Sequence, residues 1–237
     1  MKTPTAPEVH AIVVIPAHDE APTVGAAVTS VRVSARRAAL RLRLIVVADA
    51  CTDATAHAAR AAGAEVIEIG ANNVGAARAA GFAHALSTTG PETGSHPGAL
   101  PWLATTDADT QVPLDWLAKH AAYRGRGADV VVGTVLLAPV DGADPVGRAW
   151  AAEYAEKITA DGHRHIHGAN LGFSAHAYLS VQGFRSLADD EDVDLVARLR
   201  LSGAVIVTAT DLPVVTSRRT TGRAPRGFAR TLGALHA

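Results

Sequence analysis

Two carboxylates one residue apart, Asp107 and Asp109, close the stretch Thr105-Thr106-Asp107-Ala108-Asp109 directly after the apolar run Pro101-Trp102-Leu103-Ala104. Acids at that spacing past a strand end can share one hard cation, and a cation there can hold a diphosphate. A diphosphate-bearing substrate is therefore the first chemistry the chain suggests, set against the plainer reading of solvated turn residues or helix caps. Further polar clusters end other apolar runs: Pro16-Ala17-His18-Asp19-Glu20, then Asp49-Ala50-Cys51-Thr52-Asp53. A third acidic run, Asp189-Asp190-Glu191-Asp192-Val193-Asp194, opens a helical pattern, where the helix dipole by itself favours acids. His163, His165 and His167 alternate so that an extended segment would carry all three on one side, as a metal site would; a solvated loop is the competing reading.

The elements that must position these groups alternate in kind. Residues 10–16, 42–48 and 64–69 read as strands, and the segments 21–39, 53–62 and 74–86 between and after them carry helical periodicity. A Gly, Pro and Ser-rich loop is expected over 87–98, a strand over 102–106, a proline-started helix over 113–124 and a strand over 129–137. A helix over 146–159, a His-rich loop over 161–167, a segment over 170–174, a helix over 175–181, a helix ending near 201 and a strand over 204–209 complete the pattern. Such alternation argues for one α/β domain with a mostly parallel sheet flanked by helices. Ligands of open parallel sheets gather beyond the carboxyl ends of the strands, which is where the acidic clusters fall.

Composition narrows the field. With 237 residues, 48% of them hydrophobic, the chain supports one sizeable core, and its formal net charge of −1 opposes a nucleic-acid binder. Cys51 is the sole cysteine, which excludes an internal disulfide and a thiolate-built structural zinc site and fits a reducing cytoplasm. Residues 1–8 lack the pattern of a signal peptide, and no apolar run reaches the roughly 20 residues that span a bilayer. A cytoplasmic protein is expected, with peripheral contact at the inner face of the membrane left open by the arginine-rich tail.

Ordered along the chain, these motifs resemble the family 2 glycosyltransferases, inverting enzymes of the GT-A (Rossmann-like) fold. The resemblance runs through Val14-Ile15-Pro16-Ala17-His18-Asp19-Glu20, Val46-Val47-Ala48-Asp49-Ala50-Cys51-Thr52-Asp53, Asn73-Val74-Gly75-Ala76-Ala77-Arg78 and Asp107-Ala108-Asp109. It continues through His167-Gly168-Ala169-Asn170-Leu171-Gly172-Phe173 and Glu191-Asp192 with Arg198. It implies that Pro16, Ala17, Asp19 and Glu20 embrace the nucleoside, that Asp49 reads the base, and that Arg78 lies near the nucleotide, pairing with phosphate or stacking on the base. Asp109 would bind Mn²⁺ or Mg²⁺, with Asp107 on ribose or a metal-bound water. Asp192, within the catalytic pair Glu191-Asp192, would be the base that takes the acceptor proton, while Gly168 and Asn170 would shape the acceptor side. For Asp53, helix capping is the preferred reading.

The resulting expectation is a family 2 domain over 1–237, with a core at about 10–210 and a basic tail at 211–237 that either folds over the diphosphate or stays exposed. Its activity would be metal-assisted, inverting transfer of one sugar from a UDP-, GDP- or dTDP-sugar to a small or lipid-linked acceptor. Alternatives are a sugar-nucleotide binder without turnover and a nucleotidyltransferase on a similar sheet. Ala48 departs from the family's two adjacent acids after the second strand, and the processive synthases' Gln-x-x-Arg-Trp motif is absent.

Overall fold

The run Ile12-Val13-Val14-Ile15 forms the fully buried heart of strand β1 (Ala11–Ala17) in a computed structural model that describes residues 11–87, 100–140, 142, 144–187 and 189–219. Burial on both faces is what a central strand between two helical layers requires, and it explains an apolar run without polar alternation. Helix and strand then alternate through α1 (Val24–Arg37), β2 (Leu42–Asp49), α2 (Thr55–Ala61), β3 (Glu65–Ile69), α3 (Val74–Ser87) and β4 (Trp102–Thr105). The second half holds β5 (Thr110–Gln111), α4 (Trp116–Gly125), β6 (Val130–Leu137), α5 (Pro145–Glu156) and a small hairpin of β7 (Ile158–Thr159) and β8 (Gly162–His163). A single 3-10 turn (Gly168–Asn170) leads into β9 (Leu171–Ser174), followed by α6 (Ala175–Ser180), α7 (Glu191–Leu201) and β10 (Ile206–Thr216).

Eight strands join in the order β3-β2-β1-β4-β9-β6-β10-β5. β1 pairs in parallel with β2 and β4, β2 with β3, and β6 with β10, whereas β9 runs antiparallel to both of its neighbours, β4 and β6. The mostly parallel sheet flanked by helices is thus as expected, with β9 inserted against the prevailing direction at its centre. Alternating side chains divide the core. Val13 and Ile15 pack with Val24, Val28 and Val31 of α1 and Trp116 of α4, while Ile12 and Val14 pack with Phe82 of α3 and Leu195 of α7. Phe82, Phe173, Tyr178 and Phe184 form an aromatic cluster on that second face, with Phe82 and Phe173 ring centroids 5.4 Å apart in an edge-to-face arrangement.

Gly81 lets α3 lie close to the sheet, since a Cβ there would sit 2.5 Å from Val14 and 2.9 Å from Val47. The last strand differs from the sequence expectation. β10 continues beyond 209 to Thr216, with an irregularity between Thr208 and Pro213 that lets it resume pairing with β6, so the first six residues assigned to the tail are sheet. The expected loop at 88–98 and the tail beyond 219 lie outside the described residues.

Candidate active site

The loops after β1 and β2 clamp each other through paired carboxylates. Asp19 Oδ1 accepts N–H bonds from Thr52 at 2.6 Å and Asp53 at 3.1 Å, and Asp53 Oδ2 accepts one in return from Ala21 at 3.0 Å. Asp53 also accepts the Thr55 N–H at 2.9 Å, a turn bond just ahead of α2, whose cap position is Ala54 and not the expected Asp53. The Thr52 N–H holds the Asp19 carboxyl below the usual range. Asp19 and Ala50 both adopt left-handed backbone at these turns, with φ of 51° and 50°. The outcome is a fixed rim beside Pro16 and Ala17 at the carboxyl end of β1.

Asp49, the expected base reader, is tied to the backbone ahead of α3. It is 4% exposed, and its two oxygens accept the N–H groups of Asn72 at 2.8 Å and Asn73 at 2.7 Å. Asn73 in turn accepts the Ala76 N–H at 2.9 Å, so Asp49 orders the turn that launches α3.

From α3 projects Arg78, 3% exposed. Its Nε donates to Thr105 Oγ1 at 3.2 Å, Nη2 donates to Asp107 Oδ1 at 2.7 Å, and Nη1 donates to Glu191 Oε1. A Cβ on Gly168 would collide with the same guanidinium, and the Phe184 ring lies 5.7 Å from Arg78 Cζ. All three nitrogens donate to protein oxygens, a set of partners that the resemblance did not imply.

Asp192 stands next to Glu191 in the first turn of α7. Its Oδ2 accepts the Gly168 N–H at 2.5 Å and its Oδ1 the Val193 N–H at 2.8 Å, while burial and the neighbouring Glu191 charge raise its pKa. Burial likewise pushes Asp107 up to about 6, against the attraction of Arg78, with Asp109, Glu191 and Asp192 adding to the rise. Arg78 is one positive charge among three carboxylates, Asp107, Glu191 and Asp192. An excess of negative charge on hard oxygen donors suits a proton or a divalent cation.

Asp109 meets the strap that follows β10. Its Oδ2 accepts from the Ser217 hydroxyl and from Arg219 at 2.6 Å, and the same Arg219 nitrogen reaches Glu20 Oε1 at 2.6 Å. Arg219 thus links the β1 loop to the second acid of the Asp-x-Asp pair. Sequence reading left the tail's role open, and nothing in its composition singled out Arg219 from its neighbours.

Two expectations need correction. Asn170 does not face an acceptor: it is fully buried, its amide nitrogen donates to the carbonyls of Thr134 at 2.8 Å and Leu212 at 2.7 Å, and its oxygen accepts the Trp116 indole N–H at 2.9 Å. It ties β6, β10 and α4 together, and a side chain on Gly133 would collide with it. The histidines are not a solvated loop. His165 stacks on Tyr154 with centroids 3.6 Å apart, His167 Nε2 lies 3.1 Å from the Tyr154 hydroxyl, and His163 Nε2 lies 3.1 Å from the Val132 carbonyl. Burial lowers all three pKa values, that of His167 to about 4.

Among the described residues, Asp19, Cys51 and Asp53 form a trio near enough to share an ion. Its oxygens already accept backbone N–H groups, and a thiol is a soft donor, a poor match to Mn²⁺ or Mg²⁺.

The curled, mostly parallel sheet with acids clustered at its strand ends defines a GT-A glycosyltransferase fold. A family model described as glycosyl transferase family 2 matches residues 12–175, more than half of the chain, and the chain belongs to that family. Comparison with curated proteins gave no match. Similar solved structures include the mannosyltransferase PcManGT from Pyrobaculum calidifontis in complex with GDP-Man and Mn²⁺, with a TM-score of 0.66 and 16% identity over 100% of this chain and 64% of that one. S. aureus TarS 1-349 in complex with UDP-GlcNAc gives 0.64 and 12% over 92% of this chain and 61% of that one. Mannosyl-3-phosphoglycerate synthase from Rubrobacter xylanophilus gives 0.56 and 18% over 96% and 72%. This chain spans less than two thirds of the length of the first two.

Proposed function

We propose that the protein transfers a single sugar from a nucleoside diphosphate sugar to the hydroxyl of a small or lipid-linked acceptor, with inversion at the anomeric carbon. The observation that carries this reading is the gathering of Asp107, Asp109 and Asp192 around one end of the sheet, with the Asp192 carboxylate held by the Gly168 N–H. In the step itself, the acceptor oxygen attacks the anomeric carbon as the bond to the diphosphate oxygen breaks, and the hydroxyl proton passes to Asp192. A carboxylate whose pKa is raised is a better proton acceptor than an ordinary one, provided it remains ionised.

Pro16, Ala17, Asp19 and Glu20 form the rim against which the nucleoside would rest, with Asp107 toward the ribose. Asp109, with Asp107, would hold Mn²⁺ or Mg²⁺, which when bound stabilises charge on the departing diphosphate. Similar structures bound to UDP-GlcNAc and to GDP-Man with Mn²⁺ support this choice of donor class. No helix among the described residues is long and apolar enough to cross a membrane.

Thermal stabilisation by UDP-, GDP- and dTDP-sugars, each with Mn²⁺ or with chelator, tests the reading. A shift with one nucleotide that chelator abolishes is expected; no shift with any of them overturns it. Proton NMR of the first transfer product would then show an anomeric configuration opposite to that of the donor.

A further inference from the structure

We propose that Arg78 and Glu191 are positioning residues that act as one strut, fixing the Asp192 base relative to the Asp-x-Asp pair, and that neither touches the donor or the acceptor. The proposal rests on the transferase reading above and assigns these two residues a role within it.

Asp192 lies one residue inside α7, so its place depends on how that helix begins. Asp190 precedes it in a left-handed conformation, φ 59°, and its side chain makes no capping bond to the helix. The first turn is fixed from elsewhere. Glu191 is 6% exposed and directs its carboxylate onto Arg78 Nη1, while a side chain on Gly75 of α3 would collide with the Arg185 carbonyl and crowd Glu191. Besides the adjacent Val193 N–H, Asp192 accepts the Gly168 N–H, and Gly168 rests against the same guanidinium.

Arg78 therefore touches both the residue before the base and the loop residue that hydrogen-bonds it. Through Nη2 it also holds Asp107 at 2.7 Å, and through Nε the end of β4 at Thr105. A planar fork of five donors can serve three partners at fixed angles at once; an ammonium cannot. The separation between the leaving-group acids and the base is thus set by one buried guanidinium. Misplacement of reacting groups by about 1 Å costs on the order of 10²-fold in rate.

The test uses Arg78→Lys, Glu191→Gln and the double variant in the full chain. Donor affinity is measured by calorimetry with Mn²⁺ and the nucleotide sugar that stabilises the wild type, and turnover by release of nucleoside diphosphate as that donor is hydrolysed. Each single variant is expected to lose turnover by about 100-fold while holding donor affinity within about threefold, and the double variant to be no worse than either. Loss of donor affinity in Arg78→Lys with wild-type behaviour in Glu191→Gln would overturn the proposal and return Arg78 to the nucleotide. Additive losses in the double variant would also overturn it, since a single strut can be broken only once. Should Arg78→Lys not fold, Glu191→Gln decides alone: lost turnover at unchanged affinity supports the strut, and unchanged turnover refutes it. If the wild type binds no nucleotide sugar, the transferase reading itself has failed, a result separate from any difference among the variants.

Discussion

Neighbouring acids in this site sit in different surroundings. Glu191 and Asp192 are consecutive, yet one is buried against a guanidinium and the other accepts two backbone N–H groups with part of its surface open. Substituting Asp192→Asn removes a proton acceptor while preserving shape and the capacity to accept from Gly168. Transfer is expected to fall by about 10²- to 10⁴-fold with donor affinity retained, measured as turnover beside calorimetric binding; unchanged transfer would remove Asp192 from the role of base. The identities of the acidic clusters were legible in the sequence from their place after apolar runs. The commitments of Asp49, Arg78 and Asn170 were not, because their partners Asn72, Glu191 and Thr134 lie on elements whose approach no local pattern encodes.

Elements contribute through how closely they approach. α3 carries Arg78 to the site only because Gly81 allows it to settle on Val14 and Val47. Gly81→Ala is expected to destabilise the fold by about 1–3 kcal/mol through overpacking, read as a lower urea midpoint with an unchanged slope. The strap after β10 acts at the opposite edge of the site. Arg219 places one positive charge on Asp109 and Glu20, where a divalent cation would compete with it. Since the Arg219 side chain is 40% exposed, solvent weakens that competition, and Arg219→Ala should tighten binding of Mn²⁺ alone by roughly two- to fivefold in an electron paramagnetic resonance titration. Weaker binding would show that Arg219 supports the acids instead of occupying them.

At the scale of the molecule, four histidines with lowered pKa values shape the acid response. Burial lowers His120 to about 3 and His167 to about 4, and His163 and His165 move in the same direction from an ordinary value of 6.5. Neither ring nitrogen of His120 finds a hydrogen-bond partner among the described residues. Below pH 6.5 the unfolded chain takes up protons that these folded rings refuse, so stability that is complete above pH 6.5 falls as the pH drops towards 4. Each fully displaced histidine contributes up to about 1.4 kcal/mol per pH unit in that window. Asp107 works the other way: its folded value of about 6 lies above its unfolded value of 3.8, so its penalty is present above pH 6 and relieved on acidification. Asp192, raised by burial and by Glu191, acts with Asp107; four histidines oppose these two acids, and Tm should fall between pH 7 and 5, with His120→Leu making that fall shallower, as a melting series across pH would show.

The sequence by itself determined the alternation of strands and helices, the mostly parallel sheet and the location of the acids, because apolar periodicity and turn chemistry are local and survive without a partner. It also carried the family, since the order of the motifs is a property of the chain. Only the tertiary structure decided which acids are neutralised and by what: Arg78 reaches Glu191 across 113 positions while also holding Asp107, and Arg219 reaches Glu20 across 199. It also decided that β9 runs against its neighbours and that Asn170 is a core tie. Charge pairing and burial depend on distances between segments remote in sequence, and those distances are set by packing the two faces of one sheet, where each contact is the joint product of several elements.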